Sequence, residues 1–204
     1  MPISPVLLYS IPAIPIFGFA WASQVKASKT LRVGSRKKTS VVADVELKKF
    51  LASKNLNDVE ILKSDVYTQN EYVESEGKIR LSPDTLGAVD AVSVALALHA
   101  GAQAEAARRA PEKSRMIQKL RYVEILVFWI AFCVLAFGLM SSSLPLSIAG
   151  YACVVGVWLV NTRKSAIMKQ VDQSAVDFVR ASKDLSEAEQ KDVCQALEAQ
   201  RKKF

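Results

Sequence analysis

The stretch ILVFWIAFCVLAFGLMSSSLPLSIAGYACVVGVWLVNT, residues Ile125–Thr162, contains no Lys, Arg, Asp or Glu. As one helix its 38 residues would run about 57 Å, against a bilayer core of about 30 Å, so it reads as a membrane hairpin. Ile125–Met140 forms one limb, Ser141–Ser143 the turn and Leu144–Val160 the other limb. Met1–Val25 is uncharged as well, and within it Val6–Ala22 is an apolar run that reads as a further span. All 47 charged side chains therefore crowd into the other 141 residues of the 204-residue chain. A soluble surface seeks charge, whereas a charged side chain in hydrocarbon costs several kcal/mol, so this distribution predicts a membrane protein with a charged soluble part.

Half of the residues are hydrophobic and only three are Cys, which excludes a disordered chain and a disulfide scaffold. The net charge of +7 invites a nucleic-acid reading, but its placement argues otherwise. Lys26, Lys29, Arg32, Arg36, Lys37 and Lys38 follow the first span. Arg108, Arg109, Lys113, Arg115, Lys119 and Arg121 precede the hairpin, and Arg163, Lys164 and Lys169 follow it. Met1–Pro5 and Ser141–Ser143 carry no basic residue, so the basic residues mark the cytoplasmic side. The expected topology is three spans, N-terminus outside and both soluble segments in the cytoplasm. Ala20-Trp21-Ala22 resembles a signal-peptidase site, yet Met1–Pro5 lacks the positive charge of a secretory leader, and we read an uncleaved anchor. Thr39–Ala104 is net −4, so no nucleic-acid partner is expected.

In the soluble part, Ser40–Lys54 reads as a helix with Leu47, Phe50 and Leu51 inward. Val59–Leu62 reads as a strand, and Asp65–Val73 and Lys78–Leu81 as a hairpin of a small antiparallel sheet turning at Glu74–Gly77. Ser82-Pro83-Asp84 opens a long Ala-rich helix, ended by Ala110-Pro111. Its inner face is expected to include Val89, Val92, Leu96 and His99, the only histidine. Ile167, Val171, Ser174 and Phe178 mark a helix over Ala166–Ser182, and Ser186 with Glu189 forms a capping box for a last helix containing Val193 and Leu197. Cys133, Cys153 and Cys194 show no disulfide or metal spacing.

Several segments, in order, resemble the bacterial membrane-bound neutral zinc metallopeptidase (YugP-like) family. Gln24-Val25-Lys26 is similar to its Q-x-K-V-K-S region, and Lys49–Leu56 to its K-I-L-D-x-N-G-L. Asn70-Glu71-Tyr72 stands where the family has D-H-Y-D, Lys78–Ser82 matches a strand ending L-R-L-S, and Ala110-Pro111 resembles Y-A-P. The resemblance implies a mostly α chain with an α+β zincin-like cytoplasmic domain and three transmembrane helices. The implied layout is a first span over 6–22, a domain over 26–122 with its metal helix at 83–109, a hairpin over 125–160, and a tail over 163–204 that completes the site. It also implies a multi-pass protein of the bacterial inner membrane.

The family carries H-E-x-x-H on this helix, with two His on one face for Zn²⁺ and a Glu that activates the bound water. Here the segment is His99-Ala100-Gly101-Ala102-Gln103. His99 keeps the first ligand position, Ala100 replaces the general base, and Gln103 replaces the second His. Val171-Asp172-Gln173-Ser174-Ala175 resembles the family's V-E-F-x-A-S, which places the shorter Asp172 at the third ligand. Loss of the general base alone forfeits roughly 10²–10⁴ in rate. The expectation is an inactive homologue acting as a binding or scaffold protein, without a cofactor. Its partners would be the bilayer and a peptide or membrane protein held in a cleft near Asn70, Glu71 and Tyr72. One alternative is a divergent active zinc peptidase that uses His99, Asp172 and another base such as Glu71. A second is a membrane protein that binds anionic lipid through Val25–Lys38.

Overall fold

The structure is a computed structural model that describes residues 13–66, 70–141 and 143–203. It is mostly helical. The elements are α1 Ala13–Gly34, α2 Ala43–Ser53, β1 Glu60–Lys63, β2 Glu71–Val73, β3 Lys78–Leu81, α3 Ala91–Arg109, α4 Pro111–Met140, α5 Leu144–Ala181 and α6 Glu187–Lys203. The chain divides into two compact units. One comprises Met1–Val25 and Met116–Ala166, the other Lys26–Arg115 and Ile167–Phe204.

In the first unit, two helices among the described residues, not three, are long and apolar enough to cross a membrane: Pro111–Gly138 and Pro145–Ala181. Only 11% of the apolar window of each is buried, the reverse of a soluble core helix. Leu126, Trp129, Phe132, Phe137, Ile148, Trp158 and Leu159 are exposed, an apolar surface too large to face water. The expected span Val6–Ala22 lies outside the described residues over Val6–Pro12, and its remainder opens α1.

The two limbs meet through small residues. A Cβ on Gly138 would lie 2.6 Å from the Ser147 nitrogen, and one on Gly150 would lie 2.7 Å from the Leu135 Cα, so backbone touches backbone at both places. Glu124 and Lys164, which bracket the uncharged stretch, form an ion pair. The limbs are longer than expected. The separate helix over Ala166–Ser182 is corrected to the continuation of α5, because no Pro or Gly after Gly156 interrupts it.

In the second unit, β3 is central: β1 pairs with it in parallel (Ile61 opposite Ile79) and β2 antiparallel (Tyr72 opposite Ile79). A hairpin forms with Gly77 at φ 67° in its turn, but its first strand is Glu71–Val73 rather than Asp65–Val73, of which 67–69 lie outside the described residues, and the expected antiparallel sheet is corrected to a mixed one. The reason lies in burial. Ile79 and Leu81 of β3 are fully buried, whereas all three residues of β2 are half-buried, so β3 takes the middle.

Helix α3 packs against α2, α6, β2 and β3. It begins at Ala91, which corrects the expected start at Ser82-Pro83-Asp84. Those residues form an isolated turn that ends at Gly87, with φ 74°. Asp90 caps the helix instead, accepting from the Val92 and Ser93 amides at 3.1 and 3.0 Å. Val89 is consequently outside the helix and exposed, and α3 is buried on most of its circumference. Helix α2 is shorter than expected, because Ser40 does not cap it: the Ser40 hydroxyl donates to the Asp184 carbonyl at 2.7 Å. Leu47, Phe50 and Leu51 are buried as expected, and Phe50 meets Phe178 of α5 edge-on at 5.3 Å. Val193 and Leu197 of α6 are fully buried, as expected.

Candidate functional site

Residues four apart share one face of a helix, so α3 projects His99 and Gln103 from the same face. The C-terminal part of α5 brings Asp172 to the same place, where it is fully buried. His99 is 2% exposed. The three positions carried over from the sequence therefore meet, although His99 and Asp172 are 73 positions apart in the chain.

Their hydrogen bonds form one chain. The Tyr72 amide of β2 donates to Gln103 Oε1 at 3.3 Å, which turns the amide so that its nitrogen faces the imidazole. Gln103 Nε2 lies 3.0 Å from His99 Nε2, and His99 Nδ1 lies 2.7 Å from Asp172 Oδ1. An amide nitrogen only donates, so His99 Nε2 accepts and the ring proton sits on Nδ1, donated to Asp172. Both ring nitrogens are thereby engaged. Asp172 Oδ2 has no hydrogen-bond partner among the described residues, and Arg201 Nε of α6 stands 3.8 Å away, itself without one. The guanidinium is thus the cation nearest the free oxygen of this carboxylate. A buried carboxylate needs such a charge, since burial alone penalises it by several kcal/mol.

This geometry does not fit a zinc ion shared by His99 and Asp172. Two ligands each about 2.0–2.1 Å from a tetrahedral zinc stand about 3.3 Å apart, whereas 2.7 Å is the spacing of a shared proton. Gln103 and Asp172 also lie on opposite nitrogens of the ring, so they cannot join His99 around one ion. Among the described residues no group of three or more His, Cys, Asp or Glu could hold a metal ion. Ala100, which only the resemblance aligns with a general base, is fully buried and supplies no proton-transfer group.

Other carboxylates nearby serve as ion-pair partners. Glu105 is buried and pairs with Arg109 at 3.0 Å and Lys54 at 3.5 Å. Glu46 is buried and pairs with Lys49 at 3.2 Å, and Asp184 joins the same lysine. Those two carboxylates hold the Lys49 ammonium above its ordinary pKa. Of the expected cleft residues, Asn70 is committed to structure: its Oδ1 accepts from the Ser82 amide at 3.0 Å and its Nδ2 donates to the Ser82 hydroxyl at 3.3 Å. Tyr72 contributes its backbone amide to Gln103, and Glu71 is half-buried on β2.

Sequence reasoning missed Arg201, which lies 29 positions from Asp172 and carries no local signal of the contact. It also missed Asp90, whose signal was a cap-competent residue three before Ser93. No family model, no curated protein and no solved structure matches this chain.

Proposed function

We propose that the chain is a multi-pass membrane homologue of the neutral zinc metallopeptidases that has lost catalysis and acts as a binding or scaffold protein. One observation carries the reading: both nitrogens of His99 are occupied, one by Gln103 and one by Asp172. Zinc ligation requires a free nitrogen lone pair, and peptide hydrolysis requires a base beside the bound water. In this reading the former metal cluster has become a polar tie that joins β2, α3 and α5. The protein sits in a bacterial inner membrane, with the hairpin turn Ser141–Ser143 outside and the second unit in the cytoplasm. The distribution of basic residues supports that orientation.

Elemental analysis of the detergent-purified full chain tests the proposal. Zinc should fall far below one ion per chain, and a chelator should change neither metal content nor stability. Stoichiometric zinc that disappears in His99→Ala, or chelator-sensitive cleavage of a peptide library, would overturn it in favour of a divergent active peptidase.

A further inference from the structure

Five residues of α1, Lys26, Lys29, Thr30, Val33 and Gly34, line a groove together with Lys37, three residues past the helix end. Opposite them on α6 stand Asp192, Gln195 and Ala196, spaced as one face of that helix. Between the two faces lies a cavity of about 420 Å³, within the size range of small-molecule sites.

The charges around the cavity are unbalanced. Lys37 is neutralised by Asp192 at 2.6 Å. Lys26 and Lys29 have no acidic partner among the described residues, and Gln195 is exposed beside them. The chain carries no acid before Asp44, and Arg32, Arg36 and Lys38 add to the local positive field. Two unpaired ammonium groups three residues apart, with an amide across the gap, are complementary to a phosphate anion. The preceding 25 residues are uncharged, so a ligand whose phosphate sits here would have an apolar stretch of chain next to it in sequence.

We propose that the groove between α1 and α6 binds the phosphate headgroup of an anionic phospholipid, through Lys26 and Lys29 with Gln195 as a further hydrogen-bond partner. Basic residues as topology markers require only charge. A headgroup site requires charge and this cavity, and the test separates the two.

The full chain is reconstituted in nanodiscs of phosphatidylcholine alone or with phosphatidylglycerol, and amine-reactive labelling of individual lysines is followed by mass spectrometry. Phosphatidylglycerol should protect Lys26 and Lys29 while leaving the exposed Lys48 unchanged. In detergent, a short-chain phosphatidylglycerol should bind roughly 30-fold tighter than its phosphatidylcholine counterpart, as two lysines at about 1 kcal/mol each would give. Gln195→Trp keeps every charge and fills the groove, so it should abolish the protection without altering orientation or thermal stability. Equal labelling in both lipids, protection that survives Gln195→Trp, or protection by inorganic phosphate but not by phosphatidylglycerol would each overturn the proposal. None of these outcomes bears on whether the His99 cluster holds metal.

Discussion

Around His99, one side chain organises a buried polar cluster. Gln103 donates to His99 Nε2 and accepts from the Tyr72 amide, so a single side chain satisfies two buried groups. Gln103→Leu should therefore cost about 1–3 kcal/mol, the penalty for leaving buried polar groups unpaired, read as a lowered midpoint in denaturant unfolding. His99→Ala should cost more, about 3 kcal/mol or above, because it strips Asp172 of its only side-chain hydrogen bond among the described residues. Both substitutions should weaken the fold while leaving metal content unchanged, which distinguishes a structural tie from a ligand set. Ala100→Glu, which sets a carboxylate next to His99 in sequence, should destabilise the protein and confer no peptidase activity. The position is fully buried, and a carboxylate there would enter without a designated partner.

At the scale of elements, close approaches decide which helices pair. A Cβ on Gly101 would lie 2.7 Å from Leu47 Cδ1 and 2.9 Å from Phe50 Cδ1, so α3 crosses α2 at a residue without a side chain. Gly101→Ala should destabilise by about 1–3 kcal/mol, outweighing the gain of about 1 kcal/mol in helix propensity; thermal and chemical unfolding would report the sign. The end of α6 nearest α2 is held by a carboxylate. Ser186 and the Ser40 amide bond Glu189 and lower its pKa from 4.5 to about 2. Because the folded value is depressed, this contribution is present in full above pH 4.5 and is lost as the pH falls toward about 2. Glu189→Gln should thus be less stable than the wild type near neutral pH, and the difference should vanish at the acid end of that window.

The capping box was legible because its residues lie three apart in sequence. The start of α3 was not. Ser82-Pro83-Asp84 satisfies every local rule for a helix start, yet Gly87 breaks the chain and Asp90 caps it again. Local signals of equal quality competed, and the packing of α3 against the sheet chose between them.

At the scale of the whole molecule, the two units divide along the charge pattern. Every residue of the uncharged stretch Ile125–Thr162 falls in the first unit, and the acidic segment Thr39–Ala104 falls in the second. A cysteine introduced as Ser141→Cys should react with a membrane-impermeant thiol reagent added from outside intact cells. Cys194, whose thiol is pushed up in pKa by burial, should react slowly and only after permeabilisation. Labelling of Ser141→Cys only after permeabilisation would reverse the proposed orientation.

Composition and local pattern alone determined that two long segments reject charge, that they turn at Ser141–Ser143, and that a buried histidine lies on an Ala-rich helix. These are properties of transfer free energy and helical period, which act residue by residue. Tertiary structure decided that β3 sits between its neighbours, that α5 runs unbroken to Asp172, and that Arg201 returns from the end of the chain to face that carboxylate. The first depends on which strand buries its apolar side chains, and the others bring polar groups together at sequence separations of 29 and 73, which no local propensity encodes.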